Sequence, residues 1–385
     1  MKKALIISYY FPPYASVSVV RVRKYCKYLP GTGWDPTVLS IAPEYYKDNV
    51  IGSFEDVEST NVIYLPYKTK FSSILLVKIR FLIFTALHAY KNRGEYAVVY
   101  ITGPPFFPFL LPAFFKPILK FPLVLDFRDS WSVNHGYDGR RATAWRGKIK
   151  ERIFSWLEVR SIRNSSAVVF ANSMLKDDYG ALYETERDKF KVIDNGYDPE
   201  DFLAVKPCKV AEKKSIILTG KLLLYTPEIL DYILSALEKL KDLTFIYVGG
   251  ECEEVQRITS KSSVSEQVIV YPYVPYSEML DLIAGADYAL MTNGMIYGVG
   301  TKIFEYLALG KSTICFVPNG SQAVMEFSSQ PNVVVLESPH SEEGVLAGLR
   351  RLMSLSTASD GSAVEHYSRK LATEKLAELF SHVEK

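Results

Sequence analysis

Cysteine and histidine are scarce in this chain, and the few present are poorly spaced for binding a metal. The 385 residues include four cysteines without any Cys-x-x-Cys pair, and five histidines without ligand spacing. This scarcity argues against a disulfide framework and against a structural zinc site. We therefore expect reduced, mostly buried thiols and a cytoplasmic protein.

Long hydrophobic runs are also missing. No segment reaches the roughly 18 uncharged apolar residues that a membrane-spanning helix requires, so we expect no transmembrane helix. The N-terminal sequence MKKALIISYYFPP begins like a signal peptide. However, tyrosines and prolines follow its short apolar run at once, and no small-residue cleavage site appears, so a first buried strand is the better interpretation.

Net charge is small for the whole chain but unevenly divided. Residues 1–195 contain 28 Lys and Arg against 18 Asp and Glu, a net of +10, whereas residues 196–385 contain 17 against 25, a net of −8. A basic N-terminal half favours an anionic partner, such as a membrane surface or a phosphate-bearing molecule. An ordinary solvated surface is the alternative, and nucleic acid is not expected because no recognition motif accompanies the charge.

What the chain does contain is a regular alternation of strand and helix patterns. The strand-like runs of the first half are short, β-branched and apolar on both faces, as in a parallel sheet covered by helices. They are residues 4–8, 37–41, 62–65, 97–102, 123–127, 167–171 and 192–194. Helical stretches between them include 19–29, 74–91 and 143–163, which predicts βαβ units.

The alternation pauses at residues 195–214, where prolines, charges and an Asn-Gly turn indicate a linker, and then resumes. The second set of predicted strands is 215–219, 243–248, 268–271, 288–291, 313–316 and 333–336. The second set of predicted helices is 227–241, 277–284, 301–309, 342–355 and 363–383.

These patterns predict an α/β protein with two Rossmann-like domains. The first spans 1–195 and the second 215–362, joined by a linker at 196–214, and a helix within 363–385 is expected to pack back on the first domain. Ligands of open α/β sheets bind beyond the carboxyl ends of the strands. Two parallel sheets that face each other would therefore hold a ligand in an interdomain cleft.

Two segments of the first half combine apolar and basic residues. Residues 71–93 mix isoleucine, leucine and phenylalanine with lysine and arginine, and residues 104–122 are rich in phenylalanine with two lysines. Both segments suit docking on a bilayer surface. Helices that cover the first sheet are the alternative.

The strongest chemical signal is the run YGVGTKIFEYLALG at residues 297–310. Gly298 and Gly300 allow close approach of the backbone to a ligand, and Thr301 is a good N-cap for the helix that follows. The amides at that helix start suit a diphosphate. Glu305, one turn further, can accept hydrogen bonds from two adjacent ribose hydroxyls, although an ordinary loop and helix with a surface glutamate would have the same pattern.

This segment resembles the donor-binding segment of family 4 glycosyltransferases, which have the GT-B fold. The family form S-K-x-x-E-Y-x-A-x-G-K-P is matched by Thr301, Lys302, Glu305, Tyr306, Ala308, Gly310 and Lys311, with Ser312 in place of proline. The stretches YYFPPYASVSVVRVRKYCKYLPGTGWDPTVL, LVLDFRDSW, NGYDPEDF and YPYVPYSEMLDLIAGADYALM resemble further family landmarks in the same order. The resemblance covers residues 1–316.

The resemblance implies a donor site and a catalytic set. Glu305 would bind the donor ribose, Gly300 and Thr301 would lie near the phosphates, and Lys221 would neutralise the leaving diphosphate where the family usually has arginine. Val274 would lie near the base and Ser16 near the donor phosphate. The implied donor site also includes Gly220, Tyr297, Gly298 and Lys302. The implied catalytic set is Lys221, Asp126, Arg128 and Asp129, with the acids orienting the acceptor.

Further positions depart from the family pattern. Tyr297 stands where the E-x7-E pattern has its first acid, near the transferred sugar. Ala15 and Ser16 replace the usual pair of glycines. Arg128 replaces a histidine common in relatives, although a D-F-R-D-x-W form occurs in a subset of the family, and a structural salt bridge between Arg128 and Asp129 is the alternative.

The expected reaction is retaining transfer of a sugar from a nucleotide-diphosphate sugar to a hydroxyl acceptor. The sequence has no Asp-x-Asp motif, so we expect no metal and no cofactor, and charge neutralisation by basic groups and a helix start. The expected acceptor is a saccharide or lipid-linked saccharide of surface polysaccharide synthesis, at the inner face of the membrane. Two other functions fit the same architecture: a nucleotide-sugar epimerase, and an inactive binding subunit in which Tyr297 marks the lost activity.

Overall fold

The protein divides into two compact units, Met1–Asn195 with Arg369–Lys385, and Gly196–Ser368. The computed structural model describes residues 1–14, 17–46, 59–68, 73–132, 145–355 and 362–384. Each unit is built on its own parallel β-sheet, so the two units are described separately.

The sheet of the first unit has seven strands within the described residues. They are β1 (Lys2–Ile7), β2 (Trp34–Ile41), β3 (Asn61–Leu65), β4 (Tyr96–Gly103), β5 (Leu123–Phe127), β6 (Ala167–Phe170) and β7 (Phe190–Val192). They lie in the order β3-β2-β1-β4-β5-β6-β7, and every neighbouring pair is parallel. Each of them overlaps a predicted strand.

Helices connect these strands. They are α1 (Val17–Tyr28), α2 (Ile74–Lys91), α3 (Leu110–Leu119), α4 (Trp145–Arg163) and α5 (Ser173–Leu182). The Ser73 side chain caps α2 by accepting a hydrogen bond from the Leu76 amide at 3.4 Å, and Asn172 caps α5 at 2.8 Å from the Leu175 amide. Helices α3 and α5 were not among the predicted helices, and α3 lies within the phenylalanine-rich segment.

The central strands of the first sheet are apolar on both faces because helices cover both. The side chains of Ala4 and Ile6 on one face, and those of Leu5 and Ile7 on the other, have no exposed surface. Burial of a large aliphatic or aromatic side chain contributes about 1.5–3 kcal/mol. These strands therefore form a rigid platform whose loops lie at the carboxyl edge.

The second unit repeats the arrangement with six parallel strands within the described residues, in the order β10-β9-β8-β11-β12-β13. The strands are β8 (Lys214–Thr219), β9 (Leu243–Val248), β10 (Val268–Tyr271), β11 (Tyr288–Thr292), β12 (Ser312–Val317) and β13 (Val333–Glu337). The helices are α6 (Glu228–Lys239), α7 (Cys252–Thr259), α8 (Tyr276–Gly285), α9 (Lys302–Ala308), α10 (Gln322–Phe327) and α11 (Glu342–Ser354). The α/β class with two Rossmann-like domains is thus confirmed.

The last helix, α12 (Arg369–Val383), belongs to the first unit although it follows the second in sequence. Its Phe380 is fully buried, with ring centroids 5.3 Å from Trp34 and 6.0 Å from Tyr100. The chain therefore returns to the first unit at Arg369, later than the predicted domain end at residue 362.

The segment 196–214, predicted as a linker, groups with the second unit. The Cys208 amide donates to the Asp281 carbonyl at 2.9 Å, and the Lys206 amide donates to the Asp281 carboxylate at 2.7 Å. Phe202 and Val205 pack against the core of this unit. These contacts attach residues 202–208 to the second unit, and Asp281 of α8 supplies the hydrogen bonds.

No helix among the described residues combines the length and the apolar character needed to cross a bilayer. The four cysteines are free thiols, with Cys26 and Cys315 buried, Cys252 half-buried and Cys208 exposed.

Candidate functional site

Strand order places a crevice at the carboxyl edge of the second sheet. Strands β8 and β11 are neighbours, but the chain leaves them in opposite directions along the sheet, so their following loops separate. The Thr292 hydroxyl at the end of β11 donates to the Lys221 carbonyl after β8, at 3.0 Å. This hydrogen bond therefore joins the starts of the two loops and fixes the backbone of Lys221.

The loop after β8 has a backbone conformation that favours glycine. Gly220 has a φ of +114°, its amide donates to the Val248 carbonyl at 2.9 Å, and its carbonyl accepts from the Tyr247 hydroxyl at 2.8 Å. The next side chain, Lys221, is exposed. The backbone is thus held firmly while the ammonium group can reach an anion in the crevice.

Glu251 is a functional-site candidate that sequence reasoning missed. Its carboxylate accepts hydrogen bonds from three consecutive backbone amides, those of Leu222 and Leu223 at 2.7 and 2.9 Å and that of Leu224 at 3.1 Å. Bonds to a charged acceptor are stronger than neutral ones. Glu251 therefore fixes the loop that presents Lys221, and it lies too far along the chain from that loop for a local motif to reveal it.

Asn293, also missed, organises the loop after β11. The Asn293 side chain is buried, donates to the carbonyls of Met295 and Gly298, and accepts from the Met295 amide at 3.0 Å. Gly298 is thus held through its carbonyl, and the half-exposed Tyr297 precedes it on the same loop. An Asn-Gly pair directly after a strand was the available signal.

Gly300 is required by both conformation and space. It has a φ of +72°, and a Cβ atom at this position would lie 2.9 Å from the Met291 Sδ atom. Any larger residue would disturb β11 or the loop. Close packing therefore explains this glycine without reference to a ligand, and close ligand approach would be an additional use.

The start of α9 differs from the prediction in one respect. Thr301 precedes the helix with helical angles, φ −61° and ψ −20°, and its side chain makes no capping hydrogen bond. Thr301 thus occupies the N-cap position, as predicted, but without the side-chain hydrogen bond that usually accompanies it. The first-turn bond instead joins the Ile303 amide to the Gly300 carbonyl at 3.2 Å.

Glu305 lies one turn inside α9 and is only 9% exposed. One carboxylate oxygen accepts from the Tyr276 hydroxyl at 3.2 Å, and the other pairs with the Lys302 ammonium at 3.0 Å. Lys302 also lies 5.6 Å from the centroid of the Tyr276 ring. Lys302 was predicted to belong to the donor site. It holds the carboxylate of Glu305, the predicted partner of the ribose hydroxyls, in a fixed orientation.

Two motif residues anchor α9 and the turn after it, one to the sheet and one to the end of α8. The buried Tyr306 hydroxyl contacts the Thr219 amide at 2.9 Å and the Thr219 hydroxyl at 2.8 Å. Lys311 donates to the carbonyls of Ala284 and Ala286 at the end of α8, both at 2.7 Å. Because Thr219 directly precedes Gly220 and Tyr306 directly follows Glu305, these bonds bring both loops to one edge of the sheet.

Val274, predicted to lie near a base, is half-buried in the loop between β10 and α8 and packs against the core of the second unit. Its neighbours on that loop, Tyr273 and Tyr276, are exposed. Strand β10 is the edge of the sheet on the β8 side. Ser16, predicted to lie near the donor phosphate, lies outside the described residues.

In the first unit, Asp126 is fully buried at the end of β5. Its carboxylate accepts from the Arg21 guanidinium at 3.2 Å and from the Thr102 hydroxyl at 2.9 Å. Arg21, also buried, donates onward to the carbonyls of Ile193 at 2.7 Å and Asp194 at 3.1 Å. The prediction that Asp126 orients an acceptor conflicts with this burial, because a carboxylate without accessible surface cannot touch one.

Arg128 also has structural contacts. Its Nε atom donates to the Gly103 carbonyl at 3.0 Å and a terminal nitrogen donates to the Pro104 carbonyl at 2.7 Å, which ties β5 to the loop after β4. The adjacent Asp129 is half-buried. Burial raises the pKa of Asp129 above its ordinary value, and the Arg128 charge acts in the opposite direction. Of the two acids predicted at this edge, Asp126 has no accessible surface and Asp129 does.

The loop after Asp129 is held by Glu158, a buried acid of α4 that the predictions did not include. Its carboxylate accepts from the hydroxyls of Tyr179 at 2.8 Å and Tyr183 at 2.6 Å, and from the Ser132 amide and hydroxyl, both at 2.8 Å. Burial raises the pKa of Glu158, and these four bonds oppose that effect. Glu158 therefore holds Ser132 directly, and it holds Trp131 through Tyr179, whose hydroxyl accepts from the Trp131 amide at 3.0 Å.

Within the described parts of the chain, His, Cys, Asp and Glu form no group of three or more that could hold a metal ion. The second unit thus has a candidate site of its own, formed by a basic side chain, loop amides and a carboxylate at the carboxyl edge of its sheet. The first unit is described separately, with Arg128 and Asp129 at the end of β5.

Two family models match this chain. Residues 18–201 match the model described as Glycosyltransferase Family 4, and residues 213–354 match the model described as Glycosyl transferases group 1. Together the matches cover most of the chain. No curated protein sequence matches.

Solved structures share the fold at low sequence identity. A glycosyltransferase from Rickettsia africae ESF-5 is 16% identical with a TM-score of 0.69, and the match covers 100% of this chain and 99% of the relative. HepE from Anabaena in complex with UDP-glucose is 15% identical with a TM-score of 0.65, covering 99% and 100%. WaaG, a glycosyltransferase of lipopolysaccharide biosynthesis, is 14% identical with a TM-score of 0.67, covering 98% and 99%.

Proposed function

Because the chain belongs to the family 4 and group 1 glycosyltransferases, we propose that it transfers a sugar from a nucleotide-diphosphate sugar to a hydroxyl acceptor, with retention of configuration. The observation that carries the proposal is the edge of the second sheet where Lys221 and Glu305 are both held. A cation beside loop amides suits a diphosphate, and a fixed carboxylate suits the hydroxyls of a ribose. HepE, a structural relative, was solved with UDP-glucose and with UDP, which supports a uridine nucleotide as the first donor to test.

In the proposed donor complex, Glu305 accepts hydrogen bonds from the ribose hydroxyls. Tyr276 and Lys302 keep its carboxylate from rotating, since each already holds one oxygen. Lys221 and the amides near Gly300 and Thr301 approach the diphosphate. The contact of Lys302 with Glu305 supports a positioning role for Lys302.

The proposed reaction breaks the bond between the anomeric carbon and the diphosphate oxygen and forms a bond from that carbon to the acceptor oxygen. The acceptor attacks from the face that the leaving group vacates, and its proton passes to the departing phosphate oxygen. Lys221 stabilises the developing negative charge, so the proposal includes no protein nucleophile, no metal and no other cofactor. Asp129 orients the acceptor, whereas Asp126 acts only through Arg21 on the strand ends.

The proposed acceptor is a lipid-linked saccharide of surface polysaccharide synthesis, such as capsule or O-antigen, at the cytoplasmic face of a membrane. The net +10 of residues 1–195 supports an anionic partner for this half. A second candidate function is a binding subunit without turnover, which is favoured by the tyrosine at position 297 in place of an acid.

A thermal-shift panel of UDP, GDP, ADP and their glucose conjugates tests the proposal. A ligand that binds only the folded protein raises its melting temperature. We expect one nucleoside diphosphate and its sugar conjugate to raise the melting temperature of the wild type, and Glu305→Ala to abolish the rise. Glu254→Ala is the matched control, because Glu254 is an exposed acid paired with Arg257 on α7 of the same unit.

If no nucleotide shifted the melting temperature, the donor-site assignment would be refuted. Nucleotide binding without release of the diphosphate over a broad acceptor panel would instead favour the binding subunit.

A further inference from the structure

Helix α2 is apolar on the side that packs against the first sheet and also on the side that faces solvent. Val77, Phe81 and Ala89 are buried. The exposed side chains, between 42% and 70% accessible, are Ile74, Leu75, Leu76, Ile79, Ile83, Leu87 and Tyr90. Most recur at intervals of three or four residues and so form a continuous stripe. Burial in the fold accounts for the first set and leaves the second without an explanation.

Helices α3 and α4 extend this stripe. Helix α3 packs beside both α2 and α4. It exposes Phe114 and Ile118, and α4 exposes Ile149, Ile153 and Trp156. The Phe114 and Trp156 ring centroids lie 6.2 Å apart, which joins the two helices at the surface. We call these exposed side chains of α2, α3 and α4 the α2–α4 surface.

Charge indicates what covers the α2–α4 surface. The three helices contain ten lysines and arginines and two acids, a net of +8, so they hold most of the basic excess of residues 1–195. One of the acids, Glu158, is buried. Helix α2 contains no acid. Large apolar surfaces are rare on soluble monomers, and one combined with basic side chains matches the acyl boundary and headgroups of an anionic bilayer.

The start of α2 lies at the carboxyl edge of the first sheet. Arg80 donates to the Tyr45 hydroxyl at 2.8 Å and to the Pro66 carbonyl at 3.0 Å, both just beyond strand ends. The Lys78 ammonium lies 5.8 Å from the ring of Phe107, which follows β4. A bilayer in contact with the first turns of α2 would therefore lie beside the edge where parallel sheets bind ligands.

We propose that the α2–α4 surface docks on an anionic lipid bilayer. Docking inserts the stripe of α2 into the interface while basic side chains of the three helices contact lipid phosphates. It places the carboxyl edge of the first sheet next to headgroups, which suits the lipid-linked acceptor proposed above. The docking itself does not depend on the donor or on turnover.

Vesicle flotation of the full-length protein, without nucleotide, tests the proposal. Vesicles of phosphatidylcholine alone are compared with vesicles that also contain phosphatidylglycerol. The test variant is Leu75→Glu/Ile79→Glu. The matched control is Leu203→Glu/Met325→Glu in the second unit, which changes two exposed apolar residues and the net charge equally.

We expect the wild type and the control to float with the anionic vesicles and added salt to weaken that binding. The test variant should bind at least about tenfold more weakly, because two apolar side chains lose their burial. The melting temperatures of the variants show whether they fold. If the test variant does not fold, Ile83→Glu/Leu87→Glu replaces it.

Three results would overturn the proposal. The first is a wild type that does not float, and the second is a test variant that floats as well as the control. The third is a wild type that is dimeric and does not bind vesicles, together with a test variant that is monomeric. That result would assign the α2–α4 surface to a second copy of the chain. A normal thermal shift with UDP in the same samples would show that docking alone has failed.

Discussion

Replacement of Glu305 by alanine is the sharpest test of the proposed donor site. A hydrogen bond to a charged group contributes about 1.5–3 kcal/mol, and two ribose hydroxyls would share this carboxylate. The acid is already paired with Lys302, whose side chain is 31% exposed and can turn to water when the acid is removed. We therefore expect the loss of the two hydrogen bonds in Glu305→Ala to cost about 2–4 kcal/mol of binding free energy. The dissociation constant of UDP should rise about 30-fold to 1,000-fold.

A comparison of UDP with 2′-deoxy-UDP distinguishes direct contact from indirect damage. Calorimetric titration gives the dissociation constants of both nucleotides for the wild type and for Glu305→Ala. If the carboxylate binds the ribose hydroxyls, 2′-deoxy-UDP should bind the wild type more weakly, and the variant should no longer distinguish the two nucleotides. The coupling free energy should be about 1.5–3 kcal/mol.

Tyr276→Phe is the control for positioning. It removes the hydroxyl that donates to Glu305 at 3.2 Å and keeps the ring beside Lys302. We expect a smaller loss of UDP affinity than in Glu305→Ala, with the discrimination against 2′-deoxy-UDP retained.

The ribose assignment would be refuted if Glu305→Ala lost the same affinity for both nucleotides and kept the wild-type preference for the 2′-hydroxyl.

Three further substitutions test the groups that hold the site. Gly300→Ala places a Cβ against Met291 at positive φ, and it should lower the free energy of unfolding by about 1–3 kcal/mol in urea titration. Glu251→Gln removes the charge that binds three amides of the loop carrying Lys221, and it should weaken UDP binding about tenfold. An unchanged dissociation constant would show that other contacts hold this loop. Glu158→Gln should destabilise the fold by about 1.5–3 kcal/mol. Because burial raises the folded-state pKa of Glu158, wild-type stability should fall as pH rises from its ordinary pKa through the raised value, and the variant should lack that decline.

The architecture was predictable because buried parallel strands are visible as short runs that are apolar on both faces. All thirteen predicted strands overlap strands of the described structure. Helices were harder to predict. Helices α7 and α10 have only eight and six residues, too few for a periodic pattern, and α3 forms despite Pro117 in its interior because its buried side packs against the rest of the unit.

The site was predictable only in part, because sequence shows residue type and order but not burial. Asp126 and Asp129 stand three residues apart, and the sequence alone does not distinguish their roles. The structure buries Asp126 completely against Arg21 and leaves Asp129 with accessible surface. Glu251 and Glu158 were not predicted because each acts on a loop that is remote in sequence.

The predicted motif residues divide into two groups by what they contact. A residue can therefore belong to the motif for a structural reason and not because it binds nucleotide. Tyr306 and Lys311 bind backbone groups of their own unit, and Gly300 is required by the packing of Met291. Their substitution should lower stability and nucleotide affinity together. Glu305 accepts one bond from another helix, that of the Tyr276 hydroxyl, and the Lys221 side chain is exposed, so their loss should reduce nucleotide affinity more than stability. A variant of either residue that lost both together would indicate that its role is structural.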